Sequence, residues 1–360
     1  MSRLGYDSGS EHDTWLASLT EDILEPDLPI VDAHHHMWLR DESTYLLPEL
    51  LDDVYSGHDS DHNSCHDSSH NSCHKVVATV FAECHSMYRA RGPEALRPVG
   101  ETEFVAGVAA MSDSGAFGPT RACRVMFGGV DMTLGSQVEP VLQAHVAARG
   151  GRFRGIRMSS GWDPSEKIRN VADRAEMLRE PAVREALAVL TRMGLSFDTW
   201  LYHPQLDEVA EVADAFPDMP IILNHVGSPI LGGPYRDKRE QVFTDWRLKI
   251  ENVAKRENVV MKLGALPIRL PGGDFDRSLP PSSEEVAAVW APWLHACIEV
   301  FGASRCMFES NFPVHRNWCS YHVVWNAFKR IGSGASVDEK ADLFAGTACR
   351  AYRIPDLELE

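Results

Sequence analysis

The chain has 360 residues, 44% hydrophobic and 24% charged, and a net charge of −17 with histidine neutral. That length can bury one large barrel or two ordinary domains, and the acidic balance disfavours nucleic acid and anionic membranes as partners. No apolar run approaches the ~20 residues needed to cross a bilayer, and the polar, acidic start MSRLGYDSGSEHDTW is unlike a signal peptide, so a cytoplasmic location is expected.

In chain order, residues 1–27 read as an N-terminal extension, 28–354 as one domain and 355–360 as a tail. Short apolar runs alternate with longer amphipathic stretches, the pattern of βα units around a parallel sheet. Eight strands are predicted: Ile30–Ala33, Val76–Ala82, Arg124–Val130, Phe153–Ile156, Leu195–Leu201, Ile221–Asn224, Val259–Leu263 and Cys306–Phe308. Helical spacing fills the gaps at Glu101–Met111, Val138–Ala148, Pro181–Met193, Gln205–Ala215, Val242–Arg256, Ser283–Phe301 and Tyr321–Ile331. The fold class expected is therefore α/β, a single (β/α)8 TIM barrel. No Gly-x-Gly-x-x-Gly follows the first strand, so a dinucleotide fold lacks its signature.

Residues 58–65 (HDSDHNSC) and 66–73 (HDSSHNSC) form a near-identical tandem octapeptide ahead of strand two, followed by His74. The tract 58–74 reads as an inserted surface loop in the first βα connection, with chelation of zinc or copper as the alternative. The eight cysteines form no pair of C-x2-C motifs, and a disulfide framework is not expected.

A TIM barrel carries its chemistry at the C-terminal ends of its strands, and polar residues collect there. Strand one ends in His34-His35-His36, where the two-residue period points His34 and His36 one way and His35 the other. Strand two ends in Glu83, strand four in Arg157, strand five in Tyr202-His203 and strand six in His225. Strand eight ends Glu309-Ser310-Asn311-Phe312-Pro313. His34, His36, His203 and His225 are expected to converge on one cavity. Arg157 can grip a carboxylate through paired hydrogen bonds, with Tyr202 and Glu83 beside it as further substrate-binding candidates. A salt bridge to a neighbouring acid is the alternative for Arg157. Asp198, in mid-strand five, needs a cation or hydrogen bonds if it faces the interior. His315 and His322 are read as surface residues.

Val31-Asp32-Ala33-His34-His35-His36, Tyr202-His203-Pro204-Gln205-Leu206, Asn224-His225-Val226-Gly227 and Ser310-Asn311-Phe312-Pro313 together resemble the amidohydrolase superfamily. Within it they resemble the amidohydrolase-2 branch, which includes lactone hydrolases of the 2-pyrone-4,6-dicarboxylate lactonase and 4-sulfomuconolactone hydrolase type. The resemblance implies hydrolysis of a small carbonyl substrate, a lactone or a related carboxylate-bearing ester, by attack of water. It implies His34, His36, His203 and His225 as catalytic residues and as ligands of any divalent ion, zinc foremost, although a metal-independent site is also compatible. A small molecule is then the expected partner, and a homo-oligomer is open.

The chain departs from the family at strand eight, where Asn311 stands in place of an aspartate. A neutral amide cannot take a proton from water. Glu309 or Glu83 could serve as base, although Glu309 faces away from Asn311 unless the strand end turns. His203 or His225 could be the base instead, with Asn311 orienting water or the substrate, or binding could survive without hydrolysis. A zinc-dependent decarboxylase of the same fold and a non-catalytic binding barrel are the alternatives to hydrolysis.

Overall fold

The computed structural model describes residues 10–40, 43–55, 73–148, 150–267, 278–355 and 357. Eight parallel strands succeed one another in chain order: β1 (Ile30–His35), β2 (Val76–Ala82), β3 (Arg121–Gly128), β4 (Phe153–Ser159), β5 (Ser196–Trp200), β6 (Ile221–Leu223), β7 (Val259–Leu263) and β8 (Cys306–Phe308). Helices return between them, among them Val99–Asp113, Glu139–Ala147, Pro181–Arg192, Leu206–Ala215, Arg239–Ala254 and Ser283–Phe301. All eight predicted strands are present, shifted by a few residues at their ends.

Closure falls just beyond β8. Asn311 N–H donates to His34 O at 2.8 Å, His36 N–H donates to Phe312 O at 2.7 Å, and His35 bridges Phe312 in parallel. Asp32 clasps the same seam. Its carboxylate accepts from Ser310 N–H at 3.0 Å, Ser310 Oγ–H at 2.6 Å and Tyr321 O–H at 3.1 Å. Burial raises the Asp32 pKa to about 6, with the Ser310 hydrogen bonds pulling against it.

Alternation along the strands sorts residues into two cores. Val31, Ala33, Ala78, Val80, Ala82, Val125, Phe127, Ile222 and Met307 fill the barrel interior, while the larger cluster lies between strands and helices. Tyr352, after the short helix Thr347–Ala351, stacks on Phe127 with ring centroids 5.7 Å apart. Arg154 Nε–H donates to Tyr352 O at 2.7 Å, which places this C-terminal plug by the start of β4. The opposite end, where the strands finish, holds the polar groups.

The octapeptide repeat lies outside the described residues except for Cys73. His74, grouped with it above, belongs to the core: it is buried, and its Nδ1 accepts from Lys329 Nζ at 2.9 Å. The N-terminal segment is also tied down, since Leu24 N–H donates to Asn326 Oδ1 at 3.0 Å and Arg316 pairs with Asp13 at 2.8 Å. Cys84, Cys123, Cys297, Cys306, Cys319 and Cys349 are free thiols. No helix among the described residues is long and apolar enough to cross a membrane.

Candidate active site

His34, His36 and His225 meet where β1 and β6 end. The His34 ring centroid lies 4.8 Å from that of His36 and 4.8 Å from that of His225. His35 turns the other way, to Thr79 Oγ1 at 2.8 Å, as the strand period requires. The β6 end is bent to deliver its histidine: His225, Val226 and Gly227 all have positive φ, at 56°, 48° and 69°. A β-branched residue in that region is strained. Trp246 Nε1–H pins the bend by donating to Val226 O at 2.7 Å.

Hydrogen bonds assign the ring protons. His36 Nδ1 lies 2.9 Å from Ala82 O, which can only accept, so Nδ1 carries the proton and Nε2 the lone pair. His225 Nδ1 lies 2.6 Å from Glu309 Oε1, and the His225 backbone N–H donates to the same oxygen at 3.1 Å. Burial alone would raise Glu309, but His225 and Lys262 outweigh it and hold the carboxyl below its ordinary range. An ionised Glu309 makes His225 Nδ1 a donor, and in the neutral ring Nε2 keeps its lone pair.

His34 is the crowded member. Its Nδ1 lies 3.1 Å from Lys262 Nζ and 3.1 Å from Glu309 Oε2, and its Nε2 lies 3.2 Å from both His36 Nε2 and Arg157 Nη1. Burial holds its pKa well below the ordinary value, with Lys262, His36, His225 and Arg157 adding to the effect, so the ring is neutral. Lys262 sits inside the barrel with no exposed surface and pairs with Asp198 Oδ1 at 3.1 Å. That oxygen also accepts from Tyr352 O–H at 2.7 Å and Asn224 Nδ2–H at 3.1 Å. The cation expected for an inward-facing Asp198 is therefore Lys262.

Arg157 is held by Glu83. Nε–H donates to Glu83 Oε1 at 2.8 Å and Nη2–H to Glu83 O at 2.5 Å. A paired grip on a substrate carboxylate would have to break this buried ion pair, so the salt-bridge alternative describes what the structure contains. Asn311 does not share the direction of Glu309. The strand end turns, with Asn311 at φ 55°, so that Glu309 enters the site while the Asn311 amide meets His315 Nδ1 at 3.3 Å. His315 is buried and reaches Leu266 O at 3.1 Å, which corrects its reading as a surface residue.

His203 stands apart. Its Nδ1 accepts Ile230 N–H at 3.1 Å, which leaves the proton on Nε2, 4.0 Å from Asp245 Oδ2. Tyr202 O–H donates to Arg169 O at 2.6 Å. A cleft of about 470 Å³ runs beside them, lined in part by Trp162, Asp163, Gln205, Glu208 and Tyr235.

Among the described residues, His34, His225 and Glu309 offer donor atoms within 4.8 Å of one another, and by type and spacing they could hold a metal ion. The charges already present oppose it. One side of the His34 ring faces the Lys262 ammonium and the other the Arg157 guanidinium, so a dication on either nitrogen would lie against a cation. His225 Nδ1 and Glu309 Oε1 are bonded to each other. As arranged, these residues do not fit a metal ion. Lys262 was missed from sequence, although a lysine inside the apolar run Val-Val-Met-Lys-Leu was the signal.

A (β/α)8 barrel with imidazoles, carboxylates and cations gathered at its strand ends has the architecture of a barrel enzyme's active site. Residues 31–354 match the Amidohydrolase family, and the chain belongs to it. The uncharacterized protein y4mH of Sinorhizobium fredii is 31% identical over 328 residues, 91% of this chain and 99% of that protein. An L-fucono-1,5-lactonase of Burkholderia multivorans is 27% identical over 219 residues, 60% of this chain and 69% of the lactonase. A Burkholderia multivorans amidohydrolase crystallised with bound zinc superposes with a TM-score of 0.64 at 21% identity, over 91% of this chain and 99% of that one, a likeness of fold.

Proposed function

We propose that this amidohydrolase opens a small lactone by attack of water on the ring carbonyl. The carrying observation is the His225–Glu309 pair at 2.6 Å. A buried carboxylate that holds an imidazole by Nδ1–H leaves Nε2 to act as base and steadies the imidazolium formed. In this reading His225 Nε2 takes a proton from water as the oxygen bonds to the carbonyl carbon. The ring C–O bond then breaks, and His225 returns the proton to the departing alkoxide, so lactone and water give one hydroxy acid. Glu309, among the residues weighed as base, serves here as the group that orients and steadies the base.

The oxyanion formed on the way needs a donor. Arg157 Nη1 is the guanidinium nitrogen not held by Glu83, and it is assigned that role. The Glu83 pairing also favours a lactone without a carboxylate, and the relatives named L-fucono-1,5-lactonase support a lactone. The zinc held by the Burkholderia multivorans neighbour is not carried over, for the charge reason given above.

The test is proton release by the purified protein on a panel of uncharged aldonolactones and of carboxylated lactones. Opening of uncharged members, lost in His225→Asn, is expected. Absence of opening across both sets would remove the hydrolase reading, and opening confined to carboxylated members would remove the substrate assignment.

A further inference from the structure

Lys262 is the only charged residue of β7, and it has no exposed surface. We propose that its ammonium is the resident cation of this site, occupying the donor set of His34 and Glu309 that would otherwise take a metal ion and fixing the His34 proton on Nε2. Of the three hydrogen-bond contacts on the His34 ring, those with Lys262 and His36 agree on one order, and the 3.2 Å approach of Arg157 Nη1 is the one left without an acceptor. Lys262, paired with Asp198 at 3.1 Å, donates to His34 Nδ1 at 3.1 Å. An ammonium has no lone pair, so Nδ1 must accept and Nε2 must bear the proton. Nε2–H then donates to His36 Nε2 at 3.2 Å, and His36 passes the order on from Nδ1–H to Ala82 O at 2.9 Å.

A further observation agrees. Glu309 Oε2 is buried and receives no hydrogen bond although His34 Nδ1 lies 3.1 Å away. An Nδ1 that accepts from Lys262 has no proton to give it. With His34 Nε2 protonated, Arg157 Nη1 has no acceptor on that ring, which keeps its N–H for the site.

Lys262 is thus a positioning residue acting through His34, and its removal should convert the site into a metal site. The Lys262→Met variant leaves Asp198 buried without its cation, so Lys262→Met/Asp198→Asn is made beside it, with folding checked by circular dichroism. Zinc affinity is measured on the full-length protein by competition with a chromogenic chelator. Nitrogen-15 spectra of histidine-labelled protein report which ring nitrogen of His34 carries the proton. The expected results are Nε2–H in the metal-free wild type and zinc binding at least about tenfold tighter in the double variant, since a like charge has left the ion's side. Adding His34→Gln should abolish that gain, which separates it from zinc taken up by the His-rich repeat, and Lys262→Arg should bind zinc as wild type does. A wild-type proton on Nδ1 overturns the proposal, as does a folded double variant with unchanged zinc affinity. If neither variant folds, the wild-type spectrum decides.

Discussion

The ends of β5 and β6 look alike in sequence and behave differently in the fold. Each is a buried strand followed within a few residues by a histidine, His203 in one and His225 in the other. The partner of Nδ1 separates them. At His225 it is the Glu309 carboxylate, so Nδ1 donates and Nε2 is left outside that bond. At His203 it is the Ile230 backbone N–H, so Nδ1 accepts and the lone pair is committed to holding a loop. The position of a histidine on a barrel strand therefore says less about its chemistry than the charge and polarity of the single group opposite Nδ1.

The contrast is most easily broken by substituting each histidine. His225→Asn should lower kcat/KM by about 10²–10⁴-fold, the usual loss when a general base is removed, while His203→Asn should stay within about tenfold. Equal losses, followed by proton release on the lactone that wild type prefers, would show that both rings act in the reaction.

A smaller effect is expected one step back from the base. Glu309→Gln keeps an oxygen able to accept from His225 Nδ1–H but removes the charge that steadies the imidazolium, so kcat should fall about 10²-fold with KM little changed. A variant with wild-type kcat would detach the carboxylate from catalysis.

The pH dependence of stability sharpens the other side of the comparison. Burial lowers the His203 pKa from an ordinary 6.5 to about 4, with Asp245 opposing. The folded ring stays neutral while the unfolded chain takes up a proton as pH falls through 6.5, so the stabilisation is full above 6.5 and lost towards 4. Between pH 7 and 5 this group should take away about 2 kcal/mol at most. The melting temperature of His203→Gln should accordingly fall less over that interval than that of wild type. An identical fall would mean that His203 is not sheltered. The smallest effect belongs to Tyr202→Phe, which removes the bond to Arg169 O and should destabilise by about 0.5–1.5 kcal/mol with kcat unchanged. Denaturant unfolding and steady-state rates check the two halves.

The strands were legible because their signal is local. Runs such as Val76–Ala82 and Val259–Leu263 are buried at all but one position each, and a parallel sheet covered on both faces favours near-continuous apolar residues. The opposite directions of His34 and His35 followed from the two-residue period alone. Lys262 was overlooked because an isolated lysine in such a run carries no motif; its partners, His34 and Asp198, are 228 and 64 positions away along the chain. Glu309 stood among the candidate bases without a partner because sequence does not show that its carboxylate meets His225, 84 residues away. Arg157 was read as a substrate anchor because Glu83, at the end of another strand, is 74 residues away.

By itself the sequence determined the eightfold alternation, the barrel, the family and the strand ends at which polar residues collect, all properties carried by neighbours within a few residues of one another. Only the tertiary structure decided which group meets the Nδ1 of His36, His203 and His225, whether Arg157 is held by an acid of the protein, and that a buried lysine stands beside His34. Those are contacts between strands dozens to hundreds of residues apart. Their energies depend on distances of about 3 Å in a water-poor interior, which no local pattern of residues encodes.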